Sequence, residues 1–156
     1  MTEAKRVIEL LTCRKQTLAT AESCTGGLLG KLLTDVPGAS AVYLGGVISY
    51  AYCVKEALLE VDPSVLAQKG AVCSEVACQM AEGVRNRLSA DFAISATGNA
   101  GPGTDPLNPV VGEIYVAVAS AEGTKVRKLQ LQGNREENRI EACCAALELL
   151  LEDFHD

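Results

Sequence analysis

The stretch Thr17-Leu18-Ala19-Thr20-Ala21-Glu22-Ser23-Cys24-Thr25-Gly26-Gly27, followed by Leu28-Leu29-Gly30-Lys31-Leu32-Leu33, decides how the rest of the chain is interpreted. Its first four residues are β-prone, and the leucines of the second segment recur at helical spacing. The hydroxyl of Ser23 and the thiol of Cys24 therefore lie where a predicted strand ends and a predicted helix begins. The glycines allow close approach to a ligand, and the first N–H groups of the helix favour a phosphate or an oxyanion. A well-capped helix with small residues for tight packing is the alternative that the local pattern leaves open.

The bulk composition is that of one globular domain. A chain of 156 residues is long enough for a single core, and 48% hydrophobic with 22% charged residues is typical of globular proteins. The net charge of −6 argues against a nucleic-acid-binding surface, which is normally basic. No apolar run approaches the roughly 18 residues of a membrane span, and the first residues do not resemble a signal peptide. We therefore expect a cytoplasmic protein with neither nucleic acid nor membrane as a partner.

The cysteines and the histidine narrow the possible chemistry. The seven cysteines are odd in number and form no Cys-x-x-Cys pair, so we expect free thiols in a reducing cytoplasm. Their spacing does not suit zinc, and we expect no metal and no cofactor. The only histidine is His155, beside the end of the chain, where a catalytic base is improbable. Any nucleophile must therefore be activated by a lysine, a tyrosine, a carboxylate or a helix N-terminus.

Hydrophobic periodicity and turn residues predict one α/β domain over residues 1–156. We expect three layers, α/β/α, around a mixed, mainly parallel five-stranded sheet that contains one antiparallel strand. The predicted strands are residues 17–20, 42–50, 91–97, 112–120 and 125–131. The predicted helices are residues 3–15, 28–34, 53–60, 63–70, 74–88 and a last one that begins at Asn134.

Several finer features accompany these elements. The strand–helix–strand order at the start predicts a parallel pair, and the turn at residues 121–124 predicts an antiparallel hairpin. Ser74 is expected to cap the fifth helix, and Asn134 with Glu137 to form a capping box on the last. The buried stripe of the fifth helix is expected at Val76, Met80, Val84 and Leu88, and that of the last at Ile140, Cys143, Leu147, Leu150 and Phe154.

Polar groups follow three of the predicted strands. Residues 23–25 follow the first strand, Tyr50 ends the second, and Thr97 with Gly98 ends the third. Lys55 lies five residues beyond Tyr50, near the start of the next helix. Because ligands of open α/β sheets bind outside the carboxyl ends of the strands, these groups are expected to share one site.

The motif Ala21-Glu22-Ser23-Cys24-Thr25-Gly26-Gly27 strongly resembles the signature of the CinA C-terminal domain family, also known as bacterial nicotinamide-nucleotide amidase. The likeness covers nearly the whole chain. Its further matches are Gly46-Val47-Ile48-Ser49-Tyr50 with Lys55, Gly70-Ala71-Val72, Ala90-Asp91, Thr97-Gly98 with Ala100-Gly101-Pro102, Val111-Gly112, and Gly133 with Arg135 and Arg139. The resemblance implies metal-independent hydrolysis of the carboxamide of nicotinamide mononucleotide, a pyridine nucleotide, to nicotinate mononucleotide and ammonia. It also implies a homodimer, and longer family members carry an extra N-terminal domain.

The resemblance also implies a catalytic set. Ser23 would attack the amide carbon, and Lys55, if partly neutral, would take the serine proton and later give one to ammonia. Tyr50 would relay a proton or orient Lys55, with packing at a strand end as the alternative. Thr97 would donate or accept a hydrogen bond at the reacting centre.

A substrate-binding set is implied as well. Its members are Cys24, Thr25, Gly26, Gly27, Gly46, Gly98, Asn99, Ala100, Gly101 and Arg135. The N–H groups around residues 25–27 would hold the oxyanion or the phosphate, residues 98–103 would form a wall over the nucleotide, and Arg135 would pair with the phosphate. Cys24 is also the competing nucleophile, although we interpret it as a packed neighbour of Ser23.

The chain departs from the family pattern at a few positions. Ala51-Tyr52 stands where Ser or Thr followed by Asn is common, Asn99 replaces a branched apolar residue, and Cys73 replaces a frequent Ser. These changes keep the serine, lysine and tyrosine but leave the substrate open. A non-catalytic nucleotide-binding or regulatory module, and an amidase for another carboxamide, are therefore the alternatives.

Overall fold

The computed structural model of the protein describes residues 1–154, so His155 and the prediction made for it lie outside the described residues. The helices are α1 (Glu3–Arg14), α2 (Leu28–Thr34), α3 (Tyr52–Leu59), α4 (Pro63–Lys69), α5 (Ser74–Leu88) and α6 (Arg135–Leu151). The strands are β1 (Leu18–Glu22), β2 (Tyr43–Ile48), β3 (Phe92–Gly98), β4 (Glu113–Ser120) and β5 (Gly123–Gln130). Within residues 1–154 no helix combines the length and apolarity that a bilayer crossing requires.

The five strands form one mixed sheet in the order β2-β1-β3-β4-β5. β1 lies between β2 and β3 and is parallel to both, whereas β3 with β4 and β4 with β5 are antiparallel. The predicted mixed five-stranded α/β sheet is therefore confirmed. The predicted mainly parallel character is not, because parallel and antiparallel pairings are equal in number. The carboxyl ends of β1, β2 and β3 meet at one edge of the sheet.

The pleat of β1 divides its side chains between two hydrophobic cores. Leu18 joins a core that includes Val7 of α1 and Leu147 of α6. Ala19 and Ala21, which point to the opposite face, join a second core built with α5 and α4. Successive side chains of a strand must alternate in this way, so the small residues of β1 let α5 approach the sheet closely.

The predicted helix details are partly confirmed. The capping box of α6 is present, with Glu137 N–H donating to Asn134 Oδ1 and Asn134 N–H donating to Glu137 Oε1. Ser74 is not the cap of α5: it is the first helical residue, and Cys73 holds the cap position. Ile140 is 44% exposed rather than buried, because it faces an apolar groove between α6 and α1.

Candidate active site

A cavity of about 300 Å³ opens at the sheet edge where β1, β2 and β3 end. It is lined by Ser23, Cys24, Tyr50, Tyr52, Lys55, Ala71, Val72, Thr97, Gly98, Asn99, Ala100, Gly103, Thr104, Asp105 and Arg135. A larger cavity of about 1010 Å³ lies between α1, α6 and the turn after α2, but its wall is mainly apolar. We assign the site to the smaller cavity, because polar groups from several elements converge there.

Lys55 and Ser23 are in direct contact at the floor of this cavity. The Lys55 side chain is fully buried, and its Nζ lies 2.8 Å from Ser23 Oγ. The same nitrogen donates to the carbonyl of Ser49 at 2.5 Å and to that of Tyr50 at 3.3 Å. An ammonium has three hydrogens, so its three acceptors are all supplied by the protein.

Burial changes the proton affinity of this lysine. The loss of hydration lowers the pKa of Lys55 to about 8, and the negative charges nearby only partly oppose this effect. About a tenth of such a lysine is neutral at pH 7, and about half at pH 8. A neutral amine keeps two hydrogens for the two carbonyls, so its lone pair is left for the Ser23 hydroxyl.

The two carbonyls that hold Lys55 are themselves fixed to β1. Ser49, which directly follows β2, is buried, and its N–H donates to the Glu22 carbonyl at 2.7 Å. Its hydroxyl donates to the same carbonyl at 3.2 Å. The chain of contacts from Glu22 through Ser49 to Lys55 therefore ties Lys55 to the residue before Ser23. Ser49 belongs to a motif of the sequence, but its residue type and spacing predict no role for it.

Cys24 is adjacent to the site but is poorly suited to act as a nucleophile. Burial raises the pKa of its thiol to about 12, although Lys55 and Arg139 act in the opposite direction. The thiolate, which is the reactive form, is therefore scarce at neutral pH. Arg139 holds the turn after Ser23 by donating to the carbonyls of Cys24 and Thr25, at 3.0 and 2.8 Å.

The N-terminus of α2 differs from the predicted anion site. The buried carboxylate of Glu22 accepts hydrogen bonds from the N–H groups of Gly27, Leu29 and Gly30, at 3.2, 2.8 and 3.0 Å. The N–H of Gly26 donates to the Ser23 carbonyl. The prediction that the N–H groups of Gly26 and Gly27 hold an oxyanion or phosphate is therefore wrong, because the protein already uses them.

Thr25 and Gly46 lie outside the cavity lining as well. Thr25 is fully buried, and its hydroxyl has no partner among the described residues. A Cβ on Gly46 would lie 2.2 Å from Thr20 Oγ1. Gly46 therefore permits the close pairing of β2 with β1, and this packing role accounts for the glycine without a substrate.

Tyr50 and Arg135 are brought together, but not as expected for Tyr50. The Tyr50 hydroxyl accepts a hydrogen bond from Arg135 at 3.3 Å, and only the Tyr50 carbonyl contacts Lys55. The hydroxyl therefore neither orients the lysine nor relays its proton in this arrangement. Arg135 also donates to the Gly101 carbonyl at 2.7 Å, which fixes the guanidinium at the cavity mouth with donors to spare. Gly101 contributes only this carbonyl and is not part of the lining.

Thr97, Gly98, Asn99 and Ala100 form the β3 side of the cavity, as predicted. The buried Thr97 hydroxyl donates to the Ala71 carbonyl at 2.9 Å, which leaves it available only as an acceptor. Asn99 uses both amide hydrogens on carbonyls of its own loop, at 2.9 and 3.0 Å, so it organises the wall and has no donor left for a substrate.

Several lining residues were absent from the predicted site. Tyr52 donates a short hydrogen bond to Asp105, and both face the cavity together with the 71–72 segment. Asp105 lies in a loop rich in glycine and proline, where no periodicity indicates the direction of a side chain. Its Asp-Pro sequence marks a turn, but a turn alone does not predict a pocket. Among residues 1–154, no three His, Cys, Asp or Glu side chains are grouped closely enough to hold a metal ion.

Curated relatives resemble this chain over most of its length. A CinA-like protein of Frankia casuarinae is 48% identical over 144 residues, which cover 92% of this chain and 33% of that protein. A protein of Caldanaerobacter subterraneus named competence-damage inducible protein is 50% identical over 145 residues, covering 92% of this chain and 35% of the relative. The chain thus spans about a third of the length of these relatives.

Solved structures resemble the fold closely. A competence/damage inducible protein from Agrobacterium tumefaciens has a TM-score of 0.91 at 36% identity, covering 96% of this chain and 92% of that one. A CinA superfamily protein from Escherichia coli has a TM-score of 0.92 at 28% identity, covering 96% and 87%. The family model described as the CinA C-terminal domain matches residues 1–154. Sequence, fold and family model agree, and the chain belongs to the CinA C-terminal domain family.

Proposed function

We propose that the protein is an amidase that hydrolyses the carboxamide of nicotinamide mononucleotide to nicotinate mononucleotide and ammonia, with Ser23 as nucleophile and Lys55 as base. One observation carries the proposal: a fully buried lysine that contacts no carboxylate among residues 1–154, and whose Nζ lies 2.8 Å from a serine hydroxyl at the cavity floor. A buried lysine with a lowered pKa beside a hydroxyl is an arrangement that activates a nucleophile.

The first half of the reaction forms an acyl-enzyme. Neutral Lys55 takes the Ser23 proton while Oγ attacks the amide carbon, and a tetrahedral intermediate with a negative oxygen forms. When the C–N bond breaks, the Lys55 ammonium gives its proton to the leaving nitrogen. Ammonia departs, and the nicotinoyl group remains on Ser23 as an ester. Lys55 is neutral again and ready for the second half.

The second half releases the acid. A water molecule in the position vacated by ammonia loses a proton to Lys55 as it attacks the ester carbon. The second tetrahedral intermediate collapses, Ser23 Oγ leaves, and Lys55 returns the proton to it. The acid that is released loses its proton to solvent and becomes a carboxylate, whose charge opposes the reverse reaction.

The developing oxyanion needs a donor other than the N–H groups of Gly26 and Gly27, which already donate within the protein. Within the described residues, the backbone N–H groups of Cys24 and Thr25 make no hydrogen bond to another residue, unlike that of Gly26. They directly follow the nucleophile, at the turn that Arg139 holds. We assign the oxyanion to the Cys24 N–H, because Cys24 lines the cavity and Thr25 does not, and a fixed donor beside the nucleophile stabilises such a charge.

The substrate class follows from the charge at the cavity mouth. Arg135 retains guanidinium hydrogens after its contacts with Gly101 and Tyr50, and it suits a phosphate. A cavity of about 300 Å³ lies at the lower end of the range for small-molecule sites. The names of the relatives state no reaction. The choice of substrate therefore rests on the family resemblance and on the charge at the cavity mouth. A homodimer in the cytoplasm belongs to the same proposal, and the seven free cysteines suit a reducing compartment.

Ammonia release tests the proposal directly. We expect the wild-type protein to release ammonia from nicotinamide mononucleotide, and Ser23→Ala to retain the fold and the binding of nucleotide but to lose turnover by at least about a thousandfold. Calorimetry on both proteins measures binding. Binding without release by the wild type would instead favour the regulatory module, and release only from another amide in a substrate panel would favour a different amidase.

A further inference from the structure

The cavity lining carries charges of both signs at different positions. Lys55 is at the floor and Arg135 at the mouth, both cations near neutral pH. Among the described residues, Asp105 is the one carboxylate in the lining. The proposed reaction uses both cations, whereas it leaves Asp105 without a role.

Asp105 is held in place by donors from three segments. Its Oδ2 accepts from the Tyr52 hydroxyl and from the Ala71 N–H at 3.3 Å, and its Oδ1 accepts from the Leu107 N–H at 3.0 Å. Its own N–H donates to Asn99 Oδ1 at 2.8 Å. The position of the carboxylate is therefore fixed before any ligand binds, which removes the entropic cost of ordering it.

The backbone next to Asp105 leaves room for the carboxylate. A Cβ on Gly70 would lie 2.3 Å from Asp105 Oδ1, and Gly70 has φ +75°, a conformation that favours glycine. The partner phenol also remains a donor, since burial and the hydrogen bond to Asp105 raise the pKa of Tyr52 to about 12. Asp105 and Tyr52 therefore present a fixed negative charge and an aromatic ring to the same cavity.

We propose that Asp105, held by Tyr52, selects a substrate with a positively charged, N-substituted pyridinium ring over the same nucleotide with a neutral ring. The inference rests on the proposed function and narrows its substrate class. A carboxylate in a small, partly desolvated cavity attracts a cation more strongly than it would in water. Without Asp105, the cavity would hold only Lys55 and Arg135 and would disfavour a cationic ring.

Two ligands isolate the ring charge. Nicotinamide mononucleotide and its 1,4-dihydro form share the ribose, the phosphate and the carboxamide, but the ring is cationic in the first and neutral in the second. We would measure both Kd values by calorimetry on Ser23→Ala protein, which prevents turnover, at about pH 7, where most of Lys55 is still charged. We expect the oxidised form to bind about tenfold more tightly.

The variants then assign that preference to Asp105. Adding Asp105→Asn to Ser23→Ala should reduce the preference to within about twofold, mainly by weakening binding of the cationic ligand. Asp105→Glu keeps the charge and Tyr52→Phe keeps the ring and the carboxylate, so both should retain most of the preference. The effect of Asp105 on the shared phosphate cancels in the ratio. Thermal unfolding checks that each variant folds.

The outcomes separate this inference from the proposed function. Equal losses for both ligands in Asp105→Asn would make Asp105 a structural element of the wall only and overturn the inference. Equal binding of the two ligands by Ser23→Ala protein would overturn it even if Asp105→Asn fails to fold. In either case, ammonia release by the wild type would leave the proposed function standing. Failure of the wild type to bind or hydrolyse either nucleotide would overturn both.

Discussion

The parallel and the antiparallel halves of the sheet place their lysines in opposite environments. The parallel strands β1, β2 and β3 end at one edge, where Lys55 lies fully buried against Ser23 and two carbonyls. The β4–β5 hairpin places Lys125 at the surface, 34% exposed and 2.5 Å from Asp153. Among residues 1–154, Lys55 has lost water without gaining a carboxylate in contact, whereas Lys125 has kept water and pairs with both Asp153 and Glu152.

The difference teaches why only one half of the sheet builds a site. Parallel strands place successive strand ends at the same edge, so residues far apart in sequence share one desolvated cavity. A hairpin places its ends on opposite edges and leaves its outer strand to solvent, where ion pairs contribute about 1 kcal/mol or less. Burial lowers the pKa of Lys55, which suits it to the proposed role of base, whereas Lys125 forms its ion pair in contact with solvent.

The largest expected effect comes from replacing each lysine by methionine, which has a similar length but no charge. Lys55→Met should lower kcat for ammonia release by at least about a thousandfold, because no group is left to take the Ser23 proton. Its melting temperature should change little, since removing a buried ammonium offsets the three lost hydrogen bonds. Lys125→Met is the matched control and should keep full activity. Comparable activity losses in the two variants would show that the two halves of the sheet do not differ in their importance for activity.

The pH dependence of the wild type sharpens the same contrast. Because only neutral Lys55 accepts a proton, kcat/KM should rise about fivefold between pH 7 and pH 8, where the Lys55 pKa lies, and level off above about pH 9. The substrate phosphate titrates near pH 6, below this range. Between about pH 8 and 10.5 the unfolded chain binds more protons at this lysine than the folded one, so its contribution to stability rises with pH. A flat kcat/KM from pH 7 to 9 would show that Lys55 is not the base.

Much of the site could be predicted from the sequence, because the residue pattern shows where each strand ends. Alternating and apolar runs located β1, β2 and β3, and the parallel β-α-β connection required their carboxyl ends to meet. Ser23, Lys55 and Thr97 were brought together for that reason alone. The capping box at Asn134 could be predicted as well, because both of its partners lie within one turn of the same helix.

The errors concern side chains whose direction depends on tertiary packing. Glu22 belongs to β1, yet its carboxylate accepts hydrogen bonds from the first N–H groups of α2. Those N–H groups include that of Gly27, which was predicted to bind an anion. Tyr50 was predicted to end the second strand but lies two residues beyond β2, and its side chain is 64% exposed and turned towards Arg135. Asp105 follows a run of turn residues, where no period reveals which side chains point inwards. Residue type and spacing do not encode these directions.

The smallest expected effect concerns the ladder between β1 and β2, and it separates packing from binding at Gly46. A methyl group there would lie 2.2 Å from Thr20 Oγ1 and 2.7 Å from the Thr20 carbonyl oxygen. Gly46→Ala should therefore lower the free energy of unfolding by about 1–3 kcal/mol, because one strand must shift. The KM for nicotinamide mononucleotide should stay unchanged, since Gly46 does not line the cavity.

Urea unfolding and steady-state kinetics on the same preparation measure the two quantities for Gly46→Ala. Gly103→Ala is the matched control for stability, because a methyl group at that position meets no atom within 4 Å. Its free energy of unfolding should stay within about 0.5 kcal/mol of the wild type. An increase in KM in Gly46→Ala without a loss of stability would show that Gly46 contacts the substrate. The β1–β2 ladder holds Ser23 and Ser49 in register, so a strand shift large enough to reach the site would lower kcat before it altered KM.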